Sequence, residues 1–160
     1  MDGPTMRTSS GRTKWMVRYL SLALLAVLVM GCATGGRPGP ATHTKEPRSV
    51  LNRTWQWVAT VTPVEKITVP DPERYSIRLT DDGKVQARFD CNGGGGHYQI
   101  SEGRLSFGPL LSTRMACPPD SLDGPFMKDL QRVVSFFVQD GDLYLELPLD
   151  SGTMRFRPAP

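Results

Sequence analysis

YSIRLTDDGKVQARFDCNGGGGHYQI, Tyr75 to Ile100, holds two alternating runs, a turn signal and four consecutive glycines. In the first run Tyr75, Ile77 and Leu79 fall on one side; in the second Val85, Ala87 and Phe89 do the same. A period of two means one buried and one wet face, the pattern of a strand in an antiparallel sheet. Thr80 to Lys84 between them is turn chemistry, so the two runs read as a hairpin. Working outward, HYQI and RLSF flank Ser101, Glu102 and Gly103 as a second hairpin. TWQWVATV, Thr54 to Val61, carries Trp55 and Trp57 on one face. LYLEL places Leu143, Leu145 and Leu147 inward after a turn at Asp140 to Asp142, and TMRFR closes the chain with Met154 and Phe156 inward.

One segment departs from this period. Phe126, Leu130, Val133, Val134 and Phe137 fall at i, i+4, i+7, i+8 and i+11, which predicts an amphipathic helix reaching Phe137. Asp123 is placed to cap its start, and Pro125 is tolerated in a first turn. The expected fold is mainly β: a small antiparallel barrel-like sheet of about seven to eight strands, with one packed helix across an opening.

The 160 residues have room for one domain. Arg7, Arg12, Lys14 and Arg18 precede an apolar run from Tyr19 to Met30, a basic and then apolar pattern that reads as an export signal. The run falls short of the roughly 20 apolar residues that span a bilayer. Its end, LVMGC, resembles the bacterial lipoprotein signal, in which a small residue precedes the cysteine that is acylated; ordinary cleavage after Ala33 is the competing reading. The expectation is a lipoprotein signal peptide over 1–31 and lipidation (palmitate and its like) of Cys32. A Gly/Pro/Thr-rich tether over 32–50 and a folded domain over 51–158 then follow. Two or more acyl chains anchor stably, so the membrane becomes a partner. Ala33 stands where an Asp would favour inner-membrane retention, which points to the periplasmic face of the outer membrane of a bacterial envelope.

The chain carries a net charge of +3 from 19 basic and 16 acidic residues. Four of the basic residues and one acid lie before Cys32, leaving 15 of each, so the exported part is neutral and lacks the sustained basic patch that nucleic acid requires.

Trp55, the DCNGGGGHY block, the LSFGPLLSTRMAC block and the Phe126 to Leu130 segment resemble, in order and spacing, the META/HslJ domain. The resemblance covers about 51–157. Its most specific marks are Cys91 and Asn92 with Gly96 and Tyr98, then Thr113, Met115, Ala116 and Cys117; the family usually has glycine where this chain has Asp90. It implies an envelope lipoprotein of a kind linked in some members to heat shock and antibiotic tolerance. No catalytic residues are agreed for the family and none are carried over.

Four readings of the glycine block compete. A phosphate loop needs Lys-Ser/Thr and a helix after the glycines; here His97 and a strand pattern follow. Cys91, His97 and Cys117 offer three metal ligands, but at no standard zinc spacing. Asp90, Asn92 and His97 offer a hydrolytic set, with its base beside a flexible run. The reading adopted is architectural: Cys91 and Cys117 form a disulfide in an exported protein, and the glycines turn the chain sharply beside it with positive φ. The expected function is non-catalytic, with no cofactor: an envelope module that binds another protein or a small ligand, or responds to stress. A protein inhibitor or small-ligand carrier is the alternative.

Overall fold

The computed structural model describes residues 46–160. The strands are β1 (Thr54–Val61), β2 (Lys66–Thr68), β3 (Tyr75–Leu79), β4 (Lys84–Phe89), β5 (Asn92–Ser101), β6 (Arg104–Phe107), β7 (Leu111–Ser112), β8 (Ser135–Gln139), β9 (Asp142–Glu146) and β10 (Thr153–Pro158). Among the described residues there is one α-helix, α1 (Asp123–Leu130). Eight strands follow the antiparallel path β6-β5-β4-β3-β1-β10-β9-β8, with β2 added beside β1 and β7 beside β5. The path curls until its ends nearly meet: Ser135 Oγ at the start of β8 lies 3.5 Å from the Gly103 carbonyl in the β5–β6 turn. Near-closure of this kind hides sheet edges that would otherwise pair with other chains.

The alternation read from the sequence becomes the barrel interior. Trp55, Trp57, Leu79, Leu105, Leu143, Leu145, Met154 and Phe156 are all completely buried. The helix fills the middle through Phe126. That ring stacks on Trp57 at 4.8 Å and meets Tyr75 edge-on at 5.8 Å, both favoured aromatic arrangements. Buried polar ends are satisfied: Trp57 Nε1 donates to Thr60 Oγ1 at 3.0 Å, and Trp55 Nε1 to the Val50 carbonyl at 2.9 Å. Val50 is itself fully buried, so the folded body begins before Leu51. Among the described residues the core is one cluster that runs from Val50 to Phe156.

Three sequence expectations change. The helix stops at Leu130, where the amides of Arg132 and Val133 bond back only three residues, to Asp129 and Leu130. Val134 then donates to the Glu146 carbonyl and Phe137 enters β8. A run of β-branched and aromatic residues with an open neighbour in β9 pairs with it, and that override defeats the helical spacing. Asp123 is the first helical residue and not the cap; Leu122 occupies the cap position with no side-chain bond. The glycines form no turn. They are the first half of β5.

Candidate functional site

The turn lies one step earlier, at Asp90 and Cys91, between the paired residues Phe89 and Asn92. Asp90 has φ 60°, a left-handed angle that glycine adopts freely and aspartate tolerates better than most residues. The aspartate at this angle also adds a charge. Its carboxylate, 4% exposed, accepts two bonds from Arg74, at 2.6 Å from Nε and 2.7 Å from Nη2. The same guanidinium lies 3.3 Å from Asp71 and 3.7 Å from Asp120. This bidentate bond from Arg74 holds the Asp90 carboxyl below the usual carboxylate range against the opposing effect of burial. Arg74 lies 16 residues from Asp90, and nothing in the local pattern announced the pair.

Cys91 and Cys117 are joined by a disulfide with Cα atoms 5.5 Å apart, inside the normal range. Asn92, almost wholly buried, makes the second tie to the same loop. Its Oδ1 accepts from Thr113 Oγ1 and from the Met115 amide, each at 2.8 Å. Its Nδ2 donates to the Met115 carbonyl at 3.1 Å and to Cys117 Sγ at 3.2 Å. The amide thus uses all its bonding capacity on one loop. Thr113 adds a backbone bond to the Gly93 carbonyl at 3.0 Å. Cys91, Asn92, Thr113, Met115 and Cys117 therefore meet in one clamp that presents 111–116 to solvent. Leu111 is 76% exposed and Met115 60%; Ala116 is also exposed.

The glycines serve close approach and not positive φ. A Cβ on Gly94 would overlap the Leu111 carbonyl oxygen, and one on Gly95 the Val85 carbonyl oxygen. A Cβ on Gly96 would stand 2.6 Å from the Pro109 carbonyl oxygen. Gly93 has open space. Beyond them the hydroxyl of Tyr98 donates to the Thr80 carbonyl at 2.6 Å, pinning the β3–β4 turn to β5.

The loop separates two depressions. One, of about 700 Å³, runs past Leu111 between Pro109, His97, Lys84, Asp82 and Thr80. The other, of about 340 Å³, lies between Thr113 to Ala116 and the start of α1 at Gly124 and Met127. His97 sits five residues along β5 from Asn92, about 17 Å at strand rise. The sets Cys91, His97, Cys117 and Asp90, Asn92, His97 consequently do not converge. Both sulfurs are bonded to each other, Asp90 is engaged by Arg74, and Asn92 is committed to the loop. Trp55 and Trp57 are packed in the core and line neither depression. Cys32, the export signal and most of the tether lie outside the described residues.

A protein from Burkholderia xenovorans, solved by NMR, shares this fold with a TM-score of 0.63 and 22% identity, covering 79% of this chain and 96% of that one. A DUF4847 family protein from Bacteroides vulgatus, solved by crystallography, does so at 0.52 and 13%, covering 68% and 93%. No curated protein matches the chain in sequence. Residues 48–159 match the META domain, well over half of the chain: the chain belongs to the META domain family.

Proposed function

We propose that this protein is a lipoprotein of the bacterial envelope, anchored through Cys32 on the periplasmic face of the outer membrane, whose META domain binds another envelope component without catalysis. Participation in a stress response is the family-level context of that role. The observation that carries the reading is the loop 111–116, held at its start by pairing of Leu111 with Gly95 and toward its end by Asn92 and the disulfide, yet keeping Leu111 and Met115 in water. Exposing apolar side chains on a stiffened loop lowers the entropy lost on binding, because the loop is already ordered. A protein inhibitor is the second reading, favoured by the same projecting, braced loop. A small-ligand carrier receives less support, since the large aromatic side chains are spent on the core.

A photoreactive amino acid at Met115 in living cells tests the binding reading. It is expected to give a discrete crosslinked species that the same probe at Glu102, in the exposed β5–β6 turn, does not give. Matching patterns at the two positions would sink it. The anchor is tested apart from the loop: Cys32→Ser is expected to abolish labelling by a clickable palmitate analogue and to release the protein from membranes.

A further inference from the structure

Residues 46–160 hold 13 basic and 15 acidic side chains, yet one face of the sheet is cationic. Read across β4, β3, β1 and β10, direct register gives the row Arg88, Ser76, Gln56, Arg157. The next row is Gln86, Arg78, Thr54. These side chains face outward, since their strand neighbours Tyr75, Ile77, Phe89, Trp55 and Phe156 are buried. Neither row contains an acid. Arg78, Arg88 and Arg157 are exposed, and none forms an ion pair with a carboxylate of the described residues. Arg88 is steadied instead by carbonyls, Asp90 at 3.0 Å and Glu73 at 3.4 Å, and Arg157 by Gln56 Oε1 at 3.4 Å. The nearest buried acid, Asp90, is already held by Arg74.

Between Arg78 and Arg88 lies a shallow depression of about 240 Å³, lined also by Thr54, Ser76 and Gln86. Two guanidinium forks, two hydroxyls and an amide form a donor-rich surface, and guanidinium pairs bidentately with phosphate oxygens. From Arg88 to Arg157 the row crosses three strand spacings, about 14 Å, wider than a single small anion. The chain enters the folded body at the edge of this face. Leu51 bridges to Leu79, and Arg53, just before β1, lays its guanidinium 5.2 Å from the Trp55 ring centre.

We propose that the outer face of β4, β3, β1 and β10 docks on the surface of an anionic phospholipid bilayer, with headgroup phosphates seated between Arg78, Arg88 and Arg157. The docking does not require the Cys32 anchor, and residues 46–160, which hold the core of the described residues and the full META match, test it without that cysteine.

The experiment is cosedimentation of this domain with vesicles of phosphatidylglycerol and phosphatidylcholine, against vesicles of phosphatidylcholine alone. The domain is expected to pellet with the anionic vesicles only, less so as salt rises. Arg78→Glu with Arg88→Glu is expected to lower the partition coefficient at least about tenfold, whereas Arg104→Glu with Lys128→Glu, off this face, leaves it within about twofold. Arg78→Gln with Arg88→Gln, expected to lose about fivefold or more, keeps the test open if charge reversal disturbs folding. Equal binding to neutral vesicles, or undiminished binding by both arginine pairs, overturns the proposal. So does inorganic phosphate shifting the Arg78 and Arg88 NMR signals while vesicles bind nothing, which would make a soluble anion the occupant.

Discussion

At Gly94 and Gly95 a single carbon decides whether β5 can lie between β4 and β7. Each residue's missing side chain is the space that a neighbouring carbonyl oxygen occupies, so a methyl group there must push backbone, which yields poorly. Gly95→Ala is expected to destabilise the domain by about 2–4 kcal/mol, and Gly93→Ala by no more than about 0.5 kcal/mol, in urea unfolding. Comparable losses at both positions would mean that the glycines matter for chain flexibility. Four glycines in a row signal conformational freedom when read locally; that they instead admit other backbones becomes visible only once β4 and β7 are in place. The ion pair beside them predicts a pH dependence. Arg74 depresses the Asp90 carboxyl, so its contribution to stability is complete above the unfolded carboxylate range, near 4, and is lost as pH falls through the lower folded value. The difference in unfolding free energy between the parent and Arg74→Met is therefore expected to hold steady from about pH 5 to 7 and to shrink below about 4. A gap that stays constant into strong acid would remove Asp90 as the partner that matters.

The element that most needed tertiary context is the segment after Phe126. Its apolar residues satisfy a helical period as far as Phe137, and Phe136, Phe137 and Val138 are also a run of aromatic and β-branched residues suited to a strand. Pairing with β9 resolves the ambiguity: Leu130 ends the helix fully buried, while Val134 stands 41% exposed outside it. Leu130→Ala is expected to cost about 2–5 kcal/mol and Val134→Ala less than about 1 kcal/mol by thermal or chemical unfolding. A continuous helix through Val134 would instead give the two residues similar weight. Strands β1, β3, β4, β9 and β10 were legible because each keeps one apolar face, and the β3–β4, β8–β9 and β9–β10 turns carry Asp and Gly; the glycine half of β5 and all of β8 were not. The short strands β2 and β7 were not, since three and two residues hold no period to read. Leu122 as helix cap was hidden for a related reason: the segment before the helix is held by the Tyr75 hydroxyl, which accepts from the Leu122 amide at 2.8 Å across 47 residues.

On the scale of the whole molecule, the loop 111–116 leaves a nearly closed barrel and is fastened back to it. Cys91, Asn92 and Cys117 do the fastening, and their types were readable as a pair of cysteine blocks; the role of Asn92 was readable only as a family mark, because its partners lie 21 to 25 residues away. Both sulfurs are spent on the bridge and the Asn92 amide on Thr113, Met115 and Cys117, so the cluster holds the loop in place. The chain-entropy model assigns a bridge across 26 residues about 3.5 kcal/mol, a large share of the ~5–15 kcal/mol available to a domain. The most direct test is equilibrium urea unfolding of the parent and of Cys91→Ser with Cys117→Ser, each with and without reductant. The double variant is expected to fold but lose about 2–4 kcal/mol, and reductant to lower the parent to the same level while leaving the variant unmoved. Equal midpoints for parent and variant, or a parent indifferent to reductant, would contradict this expectation.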